Sequence, residues 1–282
     1  MRKAKDSTIC TVGRLRRFFL LAALATASCG GSNVAENTSS APKNTSAASN
    51  RGNEIIAELL RRDAAPLRKT RVRFTITSED NSVKDYEIES WRKQADGETA
   101  TLTQIVKPAD ENDLASLTIE APGKPAVVTT YSSSLQDFRE TDTNKMFFGG
   151  ITAGELLGEW GKFDFRLVKE ETAGDHQQYQ LEGKLKKGES GTVSRMEVAM
   201  RADNYVPTQL RLFDSSDRQI RTFDITDLKS DDHGVYASKT TVDNPIYKTK
   251  TEIEVLNREF PASVEPAFFT REKLKAIAAR AK

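Results

Sequence analysis

The chain has 282 residues with 42 Lys and Arg against 41 Asp and Glu. Residues 1–28 hold six of the bases and one acid, which leaves 36 basic against 40 acidic residues beyond them. That mildly acidic remainder excludes a nucleic-acid partner, which needs a clustered basic surface, and 29% charged residues exclude a polytopic membrane protein.

The chain opens with a basic stretch ending at Arg16-Arg17, followed by the apolar run Phe18–Ala25 and the small residues Thr26-Ala27-Ser28 before Cys29. About ten apolar residues are too few for a retained span, which needs about twenty, so residues 1–28 read as a signal peptide. The small residues before the cysteine resemble the lipobox of bacterial lipoproteins. That resemblance implies cleavage before Cys29 and diacylation of its thiol. It also explains an unpaired cysteine in an exported chain, since Cys10 falls in the part removed. Residues 29–52 are rich in Ser, Asn, Thr, Ala and Gly, and no aromatic residue occurs between Phe19 and Phe74. Such a segment cannot bury enough apolar surface to offset its chain entropy, and it reads as a disordered tether.

The domain is expected over 53–282. Asn53 reads as the N-cap of a short helix whose Ile55, Ile56, Leu59 and Leu60 share one face, and Pro66 follows its end. After it, alternation with period two dominates. Val72, Phe74 and Ile76 alternate with polar residues, as do Tyr86 and Ile88, then Leu117 and Ile119. Phe163 and Phe165 follow, then Leu181, then Met196, Val198 and Met200, then Leu210 and Leu212, and finally Ile253 and Val255. Turn signals such as Asp96-Gly97, Gly174-Asp175 and Lys187-Gly188 separate the runs. About ten half-buried strands at short spacing predict a mainly β protein with an antiparallel meander and few helices. Covering material is scarce: Ala153–Trp160 and Arg271–Ala279 are the remaining helix candidates. A large sheet with so little cover either packs its apolar face as a core or keeps an apolar cavity, and both readings stay open at this point. The candidate lining of such a cavity is the alternating set above from Val72 to Leu212, with Met146, Phe147, Phe148, Leu156 and Trp160 from the helix-bearing connection. Methionines at 146, 196 and 200 suit a cavity that accepts chains of varied shape.

No catalytic constellation stands out. Gly188-Glu189-Ser190-Gly191 lacks the setting of a nucleophile elbow. His176 and His233 lie in turn-like sequence, and Asp231-Asp232-His233 offers poor metal geometry. No enzyme activity, metal or other cofactor is expected.

Several stretches in order resemble the outer-membrane lipoprotein-sorting family, the LolA/LolB-like half-barrel proteins. They are the strand pair ending in Trp91-Arg92-Lys93, the Leu102–Pro108 strand, Tyr131–Arg139, and Met146–Leu157 with its Phe-x-Gly segment leading into a short helix. Asn204–Asp214, Arg218–Phe223, Thr249–Asn257 and Phe268–Leu274 continue the match, which spans 53–276. Where many members carry Trp-x-Tyr-x-Pro, this chain keeps only Tyr131. The resemblance implies an antiparallel curved half-barrel with helices over its concave face. It implies an apolar cavity for acyl chains of lipoproteins or lipids, with an envelope transporter or lipoprotein carrier as candidate partner. The expected molecule is a monomer, anchored through Cys29 at the periplasmic face of the outer membrane, or at the outer face of the plasma membrane in a host with one membrane. The alternative is an envelope sensor or interaction module of the same fold, acting through a protein partner.

Overall fold

Helix α1 (Thr45–Arg62) begins eight residues earlier than the start read at Asn53. The computed structural model describes residues 45–109 and 114–279; the expected signal peptide, Cys29 and the expected tether up to residue 44 lie outside the described residues. Residues 45–52, assigned above to the tether, are helical. The local sequence hides this because the segment buries almost no apolar side chain of its own. Its packing residue is Gly52, which is buried against strand β7 (Phe163–Ala173). A Cβ at Gly52 would stand 2.6 Å from the backbone of Phe165 and Arg166. Asn53, far from capping, sits inside the helix, and its Oδ1 accepts the Phe165 N–H at 2.9 Å. Below these, Ile55 and Ile56 are buried, each contributing about 1.5–3 kcal/mol by burial. The expected effect of Gly52→Ala follows. The added methyl gains about 1 kcal/mol of helix propensity but collides with backbone that cannot rotate away, an overpacking cost of about 1–3 kcal/mol. Net destabilisation in a urea melt is expected, and a variant more stable than the parent would contradict this close approach.

The strands after α1 are β1 (Leu67–Thr77), β2 (Val83–Ala95), β3 (Glu98–Lys107), β4 (Leu114–Glu120), β5 (Val127–Ser132) and β6 (Asp137–Thr141). Helix α2 (Ala153–Leu157) precedes β7, β8 (His176–Leu185), β9 (Arg195–Arg201), β10 (Pro207–Phe213), β11 (Gln219–Asp231), β12 (Gly234–Asn244) and β13 (Thr249–Glu259), and α3 (Arg271–Ala279) closes the chain. All thirteen strands belong to one antiparallel sheet ordered β6-β5-β4-β3-β2-β1-β13-β12-β11-β10-β9-β8-β7. The chain meanders outward from β1 to one edge, crosses to the other edge, and meanders back until β13 pairs with β1. The crossing segment, residues 142–162, therefore spans the width of the sheet. We call it the strap.

The periodicity passed over β3, β5, β6, β11 and β12, and two of these are poor in apolar side chains. Edge strand β6 (DFRET) and β12 (GVYASKTTVDN) carry mostly hydroxyl and charged residues, and their pairing comes from neighbours rather than from a hydrophobic pattern.

The sheet does not keep one apolar face. From β7 through β13 and into β1 and β2, the apolar side chains point to the concave face. There α1 covers a cluster that includes Phe165, Leu181, Val198 and Met200. In β3 and β4 the preference reverses. Thr101 and Thr103 pair with Thr118 and Ser116 on the concave side, while Leu102 pairs with Leu117 on the opposite face. That opposite face is covered by α3, whose Leu274 and Ala278 are buried against Leu102, Ala115, Leu117 and Tyr131. Trp91 joins this layer, its ring 4.9 Å from Phe268. Two of the helices therefore do not share a face, and the expectation that the helices lie over the concave side is corrected for α3. The cause is visible in β3 and β4, whose large apolar residues occupy the other parity. One helix is needed there simply to bury them.

Candidate functional site

Helix α2 is short because its ends are fixed. Thr152 caps it, with its Oγ1 accepting the Glu155 N–H at 3.3 Å and its own N–H donating to Glu155 Oε2 at 2.8 Å. Gly158 ends it in the left-handed conformation, φ 66°, so the helix expected to reach Trp160 stops at Leu157 and Trp160 opens a separate 3-10 turn. The rest of the strap is tied down by polar contacts to the returning strands. Asn244, fully buried, donates through Nδ2 to the Gly149 carbonyl at 3.1 Å, and Thr249 Oγ1 donates to the same oxygen at 3.0 Å. Gly149 has φ 62°, and a Cβ there would run into Thr251.

The strongest tie is a buried ion pair. Arg221 Nη1 stands 2.7 Å from Glu155 Oε1, with side chains 3% and 5% exposed. The same guanidinium donates through Nε to the Gly150 carbonyl at 3.1 Å, and Nη2 contacts that oxygen as well. Burial pushes the Glu155 carboxyl up, opposed by Arg221 and by the bonds to Thr152. Glu155 thus caps α2 with one oxygen and binds the sheet with the other.

Beneath the strap lies a cavity of about 500 Å³, within the roughly 300–1,000 Å³ typical of ligand pockets. Its apolar part is walled by Val72, Phe74 and Ile88 from one half of the sheet. Leu210, Ile225, Ile253 and Val255 come from the other half, with Phe147, Phe148, Leu156 and Leu157 from the strap. Phe148 closes that end, its ring 4.6 Å from Tyr86 and 5.6 Å from Phe74. A second space of about 90 Å³ lies between the strap and β7–β10, against Trp160, Phe163, Met196 and Leu212. It is too small for a lipid chain.

Of the residues read from sequence as cavity lining, Val72, Phe74, Ile88, Phe147, Phe148, Leu156, Trp160 and Leu210 line the larger space. Ile76 and Tyr86 pack beside it in a cluster with Phe74 and Ile88. Phe163, Met196 and Leu212 border only the smaller space. Phe165, Leu181, Val198 and Met200 are solid core under α1. Met146 lies outside the cavity wall, 43% exposed, with its sulfur accepting the Tyr247 hydroxyl at 2.8 Å. Leu117 and Ile119 are corrected: both pack in the layer beneath α3, on the other face. Cys29 lies outside the described residues. Sequence reasoning missed Ile225, Ala237, Ile253 and Val255 as lining, and the strap's ion pair. The alternation in β11 (Phe223, Ile225) was a usable signal for the first, whereas the Arg221–Glu155 pair spans 66 residues and leaves no local trace.

Among the described residues no group of acidic, His or Cys side chains is placed to hold a metal ion. His176 stands at the start of β8 beside Asp175, 3.0 Å from its Oδ1. His233 stacks on Phe260 in the β11–β12 turn. Neither reaches the cavity wall.

A half-barrel sheet crossed by a strap, with an apolar cavity between, is the LolA-like architecture. The chain belongs to the family whose model matches residues 97–276, described as "-like: Uncharacterized protein". Among solved structures it is similar to a DUF1329 family protein from Desulfovibrio piger, with TM-score 0.75 and 17% identity over 80% of this chain and 99% of that one. An outer membrane lipoprotein-sorting protein domain from Vibrio parahaemolyticus gives TM-score 0.73 and 16% identity over 80% and 99%. A LolA superfamily protein from Nitrosomonas europaea gives 0.65 and 12% over 79% and 98%. No curated protein matches the chain. At these identities the likeness establishes the fold.

Proposed function

We propose that this chain is a lipid-anchored envelope protein that takes acyl chains of a lipid or lipoprotein into the space beneath the strap and carries or receives them at the outer membrane, without covalent chemistry. The observation that carries this reading is the cavity of about 500 Å³ with an aliphatic and aromatic half. Each methylene moved out of water there contributes about 0.8 kcal/mol, so even a short chain is held without a bond being made. A lipoprotein-sorting domain among the fold neighbours agrees with it. Cys29 supplies the anchor and Gly30, in place of an aspartate, suits outer-membrane delivery.

The test is native mass spectrometry of the purified full-length protein, with organic extraction and identification of what it carries. Co-purified lipid or acylated peptide is the expected result. Protein that arrives empty and also fails to take up a fluorescent fatty acid would turn the reading to an interaction module of the same fold.

A further inference from the structure

The floor of the cavity is graded in rows set by strand pairing. Val72 lies opposite Ile88, and Phe74 opposite Tyr86. One step along, Thr70, Ser90, Thr103 and Ser116 face one another across four strands. One step further, the row is Arg68, Arg92, Thr101 and Thr118. Apart from Tyr86, every side chain in these rows lines the cavity. Successive rows on one face are about 7 Å apart, so a molecule lying along the strands passes from aromatic and aliphatic walls to hydroxyls and then to two guanidinium groups.

Two features show that this polar end is not satisfied by the protein itself. Thr101 is 6% exposed, and its Oγ1 has no hydrogen-bond partner among the described residues. Arg68 and Arg92 share one acceptor, Asp63. Arg92 Nη1 donates to Oδ2 at 2.9 Å and Arg68 donates to Oδ1. Neither guanidinium makes another hydrogen bond to the described residues, although each carries five N–H donors. Glu120 also acts on Arg92 through its charge, its own carboxyl pushed up by burial; two carboxylates thus face the two guanidinium groups, and what stays unanswered is their spare N–H donors.

We infer that the row of Arg68, Arg92 and Thr101 binds the phosphate of a glycerophospholipid whose acyl chain lies against Val72, Phe74 and Ile88. This rests on the acyl-chain reading above and gives that ligand a charged head. Phosphate oxygens match the spare guanidinium donors, and the row of hydroxyls lies where the glycerol esters of such a lipid would sit. A neutral diacylglyceryl group would leave those spare donors unanswered.

The experiment is displacement of a fluorescent acyl probe from the full-length protein by phosphatidylglycerol, by diacylglycerol of the same chains, and by oleate. Phosphatidylglycerol is expected to bind at least tenfold more tightly than diacylglycerol. In Arg68→Gln/Arg92→Gln that preference is lost, while diacylglycerol affinity stays as it was. Thr101→Val keeps the shape and supplies a variant that does not disturb the ion pair; it is expected to weaken phosphatidylglycerol severalfold and leave diacylglycerol unchanged. Equal binding of the two lipids by the parent protein would overturn the inference while leaving the acyl-chain reading intact. So would tighter binding of oleate, which would assign the arginines to a carboxylate. Failure of all three to displace the probe would overturn both.

Discussion

Arg221→Leu is expected to destabilise the protein by about 3–5 kcal/mol, the cost of removing one partner from a buried ion pair. The carboxylate of Glu155 would be left in the interior beside its former partner's apolar replacement, and the Gly150 carbonyl would lose its donors. The damage is predicted to concentrate in the strap. Amide hydrogen exchange should rise across 146–160 more than across the α1 cluster, because Glu155 also caps α2. Adding Glu155→Leu to Arg221→Leu should recover part of the loss, since two apolar residues leave no uncompensated charge. If the single variant melts as the parent does, the pair does not fasten the strap.

Val255→Trp is expected to abolish most acyl-chain uptake without unfolding the protein. Val255 is only partly buried and borders the cavity rather than the packed clusters. The indole therefore grows into space instead of into neighbours. If it displaces about four methylenes of ligand, the loss is about 3 kcal/mol, or roughly two orders of magnitude in affinity. Leu117→Ala serves as the opposite case. It removes a buried side chain from the layer under α3, which costs about 2–5 kcal/mol of stability, and uptake by the protein that remains folded should not change. Equal uptake by Val255→Trp and the parent would place the chain somewhere other than beneath the strap.

The contrast between those two positions shows what the sequence could and could not tell. Period-two alternation identified Leu117 and Ile119 as strand residues with one apolar side, and that is correct. It could not say that β3 and β4 turn that side away from the cavity, because each strand's pattern fixes only its own two faces. What covers that side is α3, more than 150 residues further along, whose Leu274 and Ala278 pack on it. The helix itself was legible: Arg271–Ala279 is helical as read. The same limit hid the start of α1. Gly52 looks like a helix breaker or a linker residue until the backbone of Phe165 lies against it. At the cavity, the strap phenylalanines and the β1–β2 residues were readable from pattern and resemblance. The hydroxyl row was not, since Thr and Ser in a strand look like ordinary surface until cross-strand pairing places them opposite one another.

The pairing of β1 with β13 also fixes an order of events. Leu67–Thr77 is made well before Thr249–Glu259, whose Glu254 lies 181 residues beyond Arg73 in sequence, yet Phe74 meets Ile253 across the middle of the sheet. Each arm is a run of hairpins between sequence neighbours, which form without closing long loops. The seam between the arms cannot form until β13 has been synthesised. Because the cavity takes walls from both sides of that seam, a growing chain has no enclosed space to fill. A ligand of that space could enter only after β13 has joined β1.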